Sequence, residues 1–216
     1  MIYINIFLGI YNCFDDIDFD KLPSQFVLKT NHDSASVFIC KNKKDFDFAK
    51  ARKLLTESLK RNFYLTSREW PYKNVPRRIL AESFMKTNNG KDLDDYKFFC
   101  FNGEVKFLKV DFDRFEDHHA NYYNCKWKLL PFGEKLCPPK PEKKIAPPVN
   151  FDKMVKIAAE ISKGYPFVRV DLYNIEGDIF FGEMTFFPAS GLGWFVPEEW
   201  DIKLGEMLKL PPQKLN

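Results

Sequence analysis

Two segments near the carboxyl end of the chain, residues 167–173 and 179–187, carry apolar and polar side chains in the alternating pattern of β-strands. The five residues between them, 174–178, have the composition of a turn. Because alternate residues of a strand share one face, Val168 and Leu172 fall together on an apolar side. The pattern therefore predicts an antiparallel hairpin whose even-numbered face packs on a core and whose odd-numbered face carries polar groups.

The register that this hairpin is expected to adopt brings charged side chains together. If Tyr173 pairs with Ile179 across the five-residue loop, Arg169 lies opposite Glu183. Asp171 then follows one step along the same face, within side-chain reach of both. The sequence thus predicts a cluster of two carboxylates and one guanidinium on the polar face.

This cluster has two interpretations. Asp171, Glu183 and the hydroxyl of Thr185 offer the hard oxygen ligands that Mg²⁺ prefers, and Arg169 is suited to stabilise a transferring phosphoryl group. The alternative is a solvated sheet face on which Arg169 and Glu183 form a cross-strand pair of little energetic consequence. From these residues alone the solvated face is the commoner outcome.

The rest of the chain mixes strands and helices without strict alternation. Apolar residues at helical spacing predict helices at about 45–63 and 150–161. Short extended runs predict strands at 26–29 and 37–40, and the Asn-Gly pair at 102–103 is typical of a two-residue hairpin turn. We therefore expect an α+β fold with mainly antiparallel sheets.

The loop after Lys29 is a second candidate site. Lys29 ends an apolar strand, and small polar residues that include Ser34 and Ser36 follow it. Backbone N–H groups and hydroxyls in such a loop can fold over phosphates, although the pattern of a P-loop is absent. Taken alone, an ordinary hairpin loop with an exposed lysine is the simpler interpretation. His32 is expected to be a hydrogen-bonding loop residue rather than a catalyst.

Glu82 is a third candidate because it lies within an apolar predicted strand, where a carboxylate needs a hydrogen-bonding partner. An adenine amino group or a ribose hydroxyl beside the backbone of Phe84 and Met85 would provide one. The alternative is a glutamate on an edge strand that faces water, and the residues favour neither interpretation.

Asp111 and Asp113 form an acidic D-x-D pattern at the end of a predicted strand. Such a pair resembles the metal and sugar-nucleotide site of many glycosyltransferases. The pattern is short enough to arise by chance, and a second match at Asp18 and Asp20 illustrates this. A metal-dependent glycosyltransferase is therefore kept as an alternative function.

Composition narrows the choice of partners. The 33 basic and 30 acidic residues give a net charge of only +3, which does not favour nucleic-acid binding. The five cysteines form no CxxC pair, so neither a zinc knuckle nor a disulfide framework is indicated. No apolar run approaches the ~20 residues that span a bilayer. We expect a cytoplasmic protein, and an acidic or phosphorylated small ligand is compatible with this charge balance.

Six stretches of the chain together resemble one family in their order and spacing. The sequence is similar to ATP-grasp enzymes of the TupA-like branch, which is associated with bacterial cell-surface polysaccharide synthesis. The stretches are residues 26–36 (FVLKTNHDSAS), 67–72 (SREWPY), 95–103 (DYKFFCFNG), 110–114 (VDFDR), 167–173 (FVRVDLY) and 182–192 (GEMTFFPASGL).

The resemblance implies a two-lobed ATP-grasp fold that holds ATP and Mg²⁺. Residues 1–85 would form a small lobe with a triphosphate loop, and residues 86–216 a carboxy-terminal lobe with the metal site. The implied catalytic residue is Arg169, which would face the transferred phosphate. The implied metal ligands are Asp171, Glu183 and Thr185. The implied nucleotide contacts are Lys29, His32, Ser34, Ser36, Glu82, Phe84, Met85 and Asp95, the last of them at the ribose.

The reaction implied by the resemblance converts a carboxylate into an acyl phosphate, which an amine then attacks. In this branch the expected product is an amide between a uronic acid of a surface or capsule polysaccharide and an amino acid or amine. Thr185 stands where many relatives have Asn, and Ala35 stands where Gly is common. The family's amino-terminal lobe is expected to have no counterpart in this sequence. Three alternatives follow: the chain is a truncated member, it needs a partner chain or a homo-oligomer that supplies the lobe, or it binds ATP poorly. A non-catalytic nucleotide-binding remnant is the other alternative.

Overall fold

The computed structural model describes residues 1–34, 36–87, 93–113 and 117–212. The chain divides into two compact units. The smaller unit comprises Asn5–Met85, and the larger unit comprises Met1–Ile4 together with Lys86–Asn216. Ala35, where relatives commonly have Gly, lies outside the described residues. The assignment of each unit as a nucleotide-binding lobe stays a prediction.

The smaller unit contains one antiparallel sheet of four strands in the order β2-β5-β3-β4. Two helices accompany it: α1 at Phe48–Lys60 and α2 at Phe63–Ser67. The strands are β2 at Phe7–Tyr11, β3 at Phe26–Thr30, β4 at Val37–Cys40 and β5 at Ile79–Ser83.

Alternation along β3 explains how this sheet builds its core. Phe26 and Leu28 are fully buried, while Lys29 on the opposite face is partly exposed. The buried face of β3 belongs to the same core as Ala51 and Leu55 of α1. These two helix residues lie four positions apart and therefore share one helix face. The apolar stripe that the sequence predicted for this helix is thus confirmed.

The larger unit contains a sheet of six strands in the order β1-β11-β10-β6-β7-β8, in which only the β1–β11 pair is parallel. A two-stranded sheet pairs β9 with β12. The α-helices of this unit include α3 at Phe151–Ile161 and α4 at Glu198–Gly205. The strands are β1 at Tyr3–Ile4, β6 at Asp95–Phe101, β7 at Glu104–Phe112, β8 at His119–Tyr123, β9 at Gly133–Glu134, β10 at Phe167–Ile175, β11 at Asp178–Thr185 and β12 at Phe195–Val196.

One face of the six-stranded sheet forms the main core of the larger unit. It is built from even-numbered residues of β6, β7 and β10 and from the apolar stripe of α3. Met154 and Ala158 of that helix are fully buried, as the helical spacing predicted. The opposite face of the same strands carries aromatic residues toward one end and ionised residues toward the other.

The α+β class with mainly antiparallel sheets is confirmed, and so is the Asn-Gly hairpin turn. Asn102 and Gly103 both have positive φ, 51° and 82°, as a type I′ turn requires. The helix predicted from residue 45 begins only at Phe48, because Asp47 caps it by accepting a hydrogen bond from the backbone N–H of Lys50 at 2.9 Å.

The predicted register of the carboxyl-terminal hairpin is wrong. Near the turn it is displaced by one residue, because the strands continue to an Ile175–Asp178 pair and Ile179 lies opposite Asn174 rather than Tyr173. A bulge beside Asp171 adds a second residue to the displacement, which places Asp171 opposite Glu183 and Arg169 opposite Thr185. Since a bulge adds one residue to one strand only, alternation by itself does not reveal it.

None of the described helices has the length and apolar character that a bilayer crossing requires. All five cysteines are free thiols, as their spacing predicted.

Met154 tests the packing of α3 on the sheet. We expect Met154→Ala to lower the free energy of unfolding by about 2–5 kcal/mol, because it leaves a cavity under a fully buried side chain. Denaturant unfolding followed by circular dichroism measures the change. Lys156→Ala, on the exposed face of the same helix, is the control and should change stability little; equal effects of the two substitutions would contradict this packing.

Candidate functional site

The charged end of the larger unit's sheet is centred on Lys97 of β6, which lies between β10 and β7. The Lys97 side chain is only 11% exposed. Its Nζ donates to Asp171 Oδ2 at 2.7 Å and to Asp95 on its own strand, and it lies 3.9 Å from Asp111 Oδ2. A buried ammonium group needs such carboxylates around it to offset the loss of hydration. Lys97 therefore links three strands through charge.

Arg169 of β10 makes the second set of contacts to Asp171. Its Nε donates to Asp171 Oδ1 and one terminal nitrogen donates to Asp171 Oδ2, both at 2.7 Å, which is a bidentate pair. The same terminal nitrogen reaches Glu183 Oε1 at 3.1 Å and Thr185 Oγ1 at 2.9 Å. Thr185 in turn donates to Glu183 Oε1 at 3.0 Å. The four residues predicted to form the metal and phosphate site are thus in contact with one another.

The pKa shifts follow from this arrangement. Burial opposes the charged form of Asp171, but the charges of Lys97 and Arg169 outweigh burial and hold its pKa below the ordinary value. Burial also opposes the charge of Lys97, yet Asp171 and Asp95 raise its pKa above the ordinary value. The pKa of Arg169 is raised in the same way by Asp171. All three groups are therefore ionised at neutral pH.

Asp111 of β7 extends the charged face and is almost fully buried. His118 Nε2 lies 2.9 Å from Asp111 Oδ1, and the Cys137 thiol lies 3.8 Å from the same oxygen. Lys109 approaches Asp111 at 3.5 Å but donates at 2.9 Å to Glu134. Burial raises the pKa of Cys137 to about 11, so the thiol is protonated near neutral pH. The group forms a hydrogen-bonded corner of the charged face.

The two acids of the D-x-D pattern have different partners. Asp111 faces the charged sheet, whereas Asp113 lies just past the end of β7 at a positive φ of 53° and pairs with Lys143. Within the described residues the pair does not converge on one point.

The charged face offers the kind of donors that suit a divalent cation. Its carboxylates are Asp95, Asp111, Asp171 and Glu183. Its cations include Lys97, Arg169 and Lys109, the last of which pairs with Glu134 as well as approaching Asp111. Carboxylate oxygens are the hard ligands that Mg²⁺ prefers. Glu183, 61% exposed, is the accessible one.

The smaller unit brings Lys29 and Glu82 together. Lys29 Nζ lies 2.9 Å from Glu82 Oε2, and the two side chains are 35% and 22% exposed. They meet diagonally because Val27 is directly opposite Glu82 in the β3–β5 register. Since β5 has neighbours on both sides, Glu82 is not on an edge strand, and that alternative is wrong. Its carboxylate is instead matched by a half-buried ammonium group.

The loop between β3 and β4 is held from within by Asp33. Asp33 accepts hydrogen bonds from the hydroxyls of Thr30 and Ser58, at 2.8 and 2.6 Å, and from the hydroxyl and backbone N–H of Ser36. Burial opposes the charge of Asp33, but these bonds lower its pKa below the ordinary value. Ser36 is therefore directed inward, while Ser34 is exposed.

The remaining predicted nucleotide contacts are placed as follows. His32 is buried, and its Nε2 lies 3.1 Å from the carbonyl oxygen of Ser58 on α1. Phe84 and Met85 directly follow β5 and are half-buried. Asp95 is buried at the start of β6, where it accepts from Lys97. Their roles toward a nucleotide stay predictions.

Two residues that organise these sites were missed at the level of the sequence. Lys97 and Asp95 are the two charged residues of a strand that is otherwise apolar, and their spacing of two places both side chains on one face. The sequence could therefore have indicated this ion pair. Asp33 lies three residues from both Thr30 and Ser36, which was a local signal, whereas its bond to Ser58, 25 residues away in the chain, had none.

The chain is similar to known proteins in sequence and in fold. The family profile described as TupA-like ATPgrasp matches residues 2–209. D-alanine–D-alanine ligase from Bacillus anthracis is similar in structure, with a TM-score of 0.51 at 17% identity over 96% of this chain and 61% of that one. The ATP-grasp ligase PsnB, complexed with a phosphomimetic variant of minimal precursor, Mg and ADP, gives a TM-score of 0.48 at 9% identity over 96% and 54%. No curated protein matches.

At these identities the structural likeness concerns the fold alone, and the predicted ATP-grasp fold is confirmed. The chain spans less than two thirds of the length of either solved protein, 61% and 54%.

Lys97 tests the charge network. We expect Lys97→Met to lower the free energy of unfolding by about 3–5 kcal/mol, because it leaves Asp171 and Asp95 buried without their shared cation. Denaturant unfolding at pH 7 measures the loss. The control is Lys106→Met on β7, whose exposed pair with Glu104 is screened by water and is expected to contribute little. A Lys97 variant as stable as this control would refute the network.

The lowered pKa of Asp171 predicts how stability depends on pH. A carboxyl whose folded pKa lies below its unfolded value of about 3.9 contributes stability above that pH. The contribution is lost as pH falls through the folded pKa. We expect Asp171→Asn to flatten the decline of unfolding free energy below about pH 4. Urea unfolding as a function of pH measures the slope, and Asp178→Asn, at an exposed position of β11, should keep the wild-type slope.

Proposed function

The chain belongs to the TupA-like ATP-grasp family, and from that premise we propose that it is a ligase that uses ATP and Mg²⁺ to join a carboxylate to an amine. The observation that carries the proposal is the cluster of Arg169, Asp171, Glu183 and Thr185 on one polar sheet face. A solvated strand face would not bury Asp171 between two cations and leave a second carboxylate, Glu183, exposed beside it. A site for a metal and phosphates accounts for both features.

In the larger unit, Asp171 and Glu183 are proposed to hold Mg²⁺, with the hydroxyl of Thr185 as a neutral oxygen beside them. When bound, the ion would neutralise phosphate charge. Arg169 already contacts all three side chains and is proposed to stabilise the transferred phosphoryl group. Lys97 acts as a positioning residue, since its bond to Asp171 fixes the carboxylate that Arg169 also grips.

In the smaller unit, Lys29 is proposed to contact the phosphates or adenine N7, and Glu82 with the backbone of Phe84 and Met85 to read adenine. The Lys29–Glu82 pair, 2.9 Å apart and half-buried, supports this because it orients both groups before a ligand binds. The loop with Ser34 and Ser36 is proposed to close over phosphates. The bonds to Asp33 supply its shape.

The proposed reaction has two steps. A carboxylate oxygen of the acceptor attacks the γ-phosphorus of ATP, and ADP departs with the electron pair of the broken P–O bond. The amine nitrogen then attacks the acyl carbon of the acyl phosphate, inorganic phosphate leaves, and the nitrogen loses a proton. We propose a uronic acid of a cell-surface polysaccharide as the carboxylate and an amino acid or amine as the nucleophile. The use of ATP favours a cytoplasmic location.

The direct test is a thermal-shift titration with ATP and with UDP-sugars, each with and without Mg²⁺, followed by ADP-release assays with uronic acids and amines. A ligand at about one hundred times its dissociation constant adds roughly 2.7 kcal/mol to stability. We expect a magnesium-dependent shift with ATP. A shift with UDP-sugars alone would instead favour the glycosyltransferase that uses Asp111 and Asp113, and ATP binding without any ADP release would favour a non-catalytic protein.

Glu183 tests the metal assignment. We expect Glu183→Ala to abolish the magnesium-dependent part of the ATP shift while the protein stays folded, because the side chain is 61% exposed and little core packing is lost. Glu160→Ala, an exposed glutamate on α3, is the matched control and should respond as the wild type does. An unchanged magnesium response in the Glu183 variant would rule out this site.

A further inference from the structure

The smaller unit contains a pocket of about 480 Å³ that the proposed ligase reaction does not use. It opens beside the carboxyl end of α1 and is bordered by the segment from Tyr72 to Arg78. That segment follows directly from the SREWPY stretch at 67–72, which had no function assigned. Its size is in the range of small-molecule sites.

The pocket is separate from the Lys29–Glu82 pair. Leu28 packs in the core beneath α1, so Lys29 points to the opposite face of β3. His32 belongs to the α1 side, where it is hydrogen-bonded to Ser58, and it lines the pocket. A ligand here would therefore contact a different surface of the sheet from the one that carries Lys29.

The pocket has a positive character. Lys73, Arg77 and Arg78 line it, and none of the described lining residues is acidic. Arg77 and Arg78 each donate to a backbone carbonyl, of Arg61 at 3.2 Å and of Arg77 at 3.0 Å respectively. Carbonyl contacts orient a guanidinium group but do not neutralise it. Three cations without a lining carboxylate favour an anionic ligand.

The buried imidazole of His32 indicates that the ligand also carries a hydrogen-bond donor. The imidazole is 2% exposed, and its Nε2 must carry a proton because the Ser58 carbonyl, 3.1 Å away, can only accept. In the neutral ring Nδ1 is then an acceptor, and within the part of the chain that the structure describes it has no hydrogen-bond partner. A buried polar atom without a partner is costly and uncommon. A hydroxyl group of a ligand in the pocket would satisfy it.

Two aromatic rings complete the lining. Phe63 and Tyr72 pack edge to face, with their ring centroids 5.3 Å apart, and both contribute to the wall of the pocket. Apolar ring surface next to hydrogen-bonding and charged groups matches a ligand that has C–H faces as well as hydroxyls. Sugars have this combination.

We propose that this pocket binds an anionic sugar, one that bears a carboxylate or a phosphate. Arg77, Arg78 and Lys73 contact the anionic group, a sugar hydroxyl donates to His32 Nδ1, and the rings of Phe63 and Tyr72 line the C–H face. The inference rests on the proposed function at one point: the anionic ligand is taken to be a sugar. It gives the ligase a binding site for an acidic glycan unit that is separate from Lys29 and Glu82, and it assigns His32 to this site rather than to the nucleotide.

The test is isothermal titration calorimetry on the full chain without ATP or Mg²⁺. The probes are D-glucuronate, glucose 6-phosphate, inorganic phosphate and neutral glucose. We expect saturable binding of at least one of the two anionic sugars, with inorganic phosphate and glucose at least about tenfold weaker. The stronger of the two sugars identifies whether the carboxylate or the phosphate is the group recognised.

The variants are Arg77→Gln with Arg78→Gln, His32→Phe, and the control Lys53→Gln on the exposed face of α1. The arginine pair should weaken binding of the anionic sugar by at least about tenfold, and the control should not change it. His32→Phe should reduce the preference for glucose 6-phosphate over inorganic phosphate. Because Arg77 is exposed, the arginine variant is expected to fold, and its circular dichroism spectrum checks this.

Several results would overturn the proposal: no binding of either anionic sugar, equal binding of glucose, equal binding of inorganic phosphate, or binding that survives loss of both arginines. Failure of the proposed ligase function is a separate outcome, since it would appear as the absence of a magnesium-dependent ATP shift in the wild type. The Arg77 and Arg78 variant should retain that ATP shift, which distinguishes loss of the pocket from loss of the nucleotide site.

Discussion

The ammonium group of Lys97 lies inside the sheet of the larger unit, and it is tolerated there because Asp171 and Asp95 surround it. Removing a charge from water costs several kcal/mol, about as much as good pairing returns, so neither partner is stable without the other. Arg169 adds a bidentate ion pair, in which it donates to both carboxylate oxygens of Asp171. The position of the proposed metal ligands therefore depends on ion pairs that cross from β6 to β10. The ion pairs that stabilise the sheet are thus the same ones that hold the residues of the proposed site, and strongly shifted pKa values are common among groups at functional sites.

The two faces of the six-stranded sheet have different roles. Even-numbered residues of β6, β7 and β10 form an apolar core with α3, while odd-numbered residues carry the ionised cluster at one end and aromatic rings at the other. Because successive side chains of a strand point to opposite faces, a site can be built on one face without disturbing packing on the other. The aromatic rings, among them Phe99 stacked on Phe107 with their centroids 4.6 Å apart, pack the strands that position the charges. The proposed ligase site thus lies on a well-packed sheet.

The smaller unit uses polar anchors in a different way. Asp33 ties the β3–β4 loop to α1 through the hydroxyl of Ser58 and accepts from the hydroxyls of Thr30 and Ser36 within the hairpin, so that the loop has an inner side and an outer side. Ser34 is on the outer side, available to the proposed phosphates, whereas His32 faces α1 and the cationic pocket. One short segment therefore borders two surfaces with different chemistry. The proposed nucleotide contact and the proposed anion site would therefore lie on separate surfaces of the same unit.

Local pattern was sufficient for the class of fold, for the helix that contains Met154, for the Asn-Gly turn and for the polar face with Asp171 and Glu183, since each depends on residues close in the chain. The family itself was identifiable from the order of six short motifs. The bulge that sets Asp171 opposite Glu183, the place of Lys97 between two carboxylates, and the enclosure of His32 were decided only by the tertiary structure. These features depend on partners tens of residues away, and the free energy of burying a charge or a ring nitrogen depends on which groups the fold brings beside it.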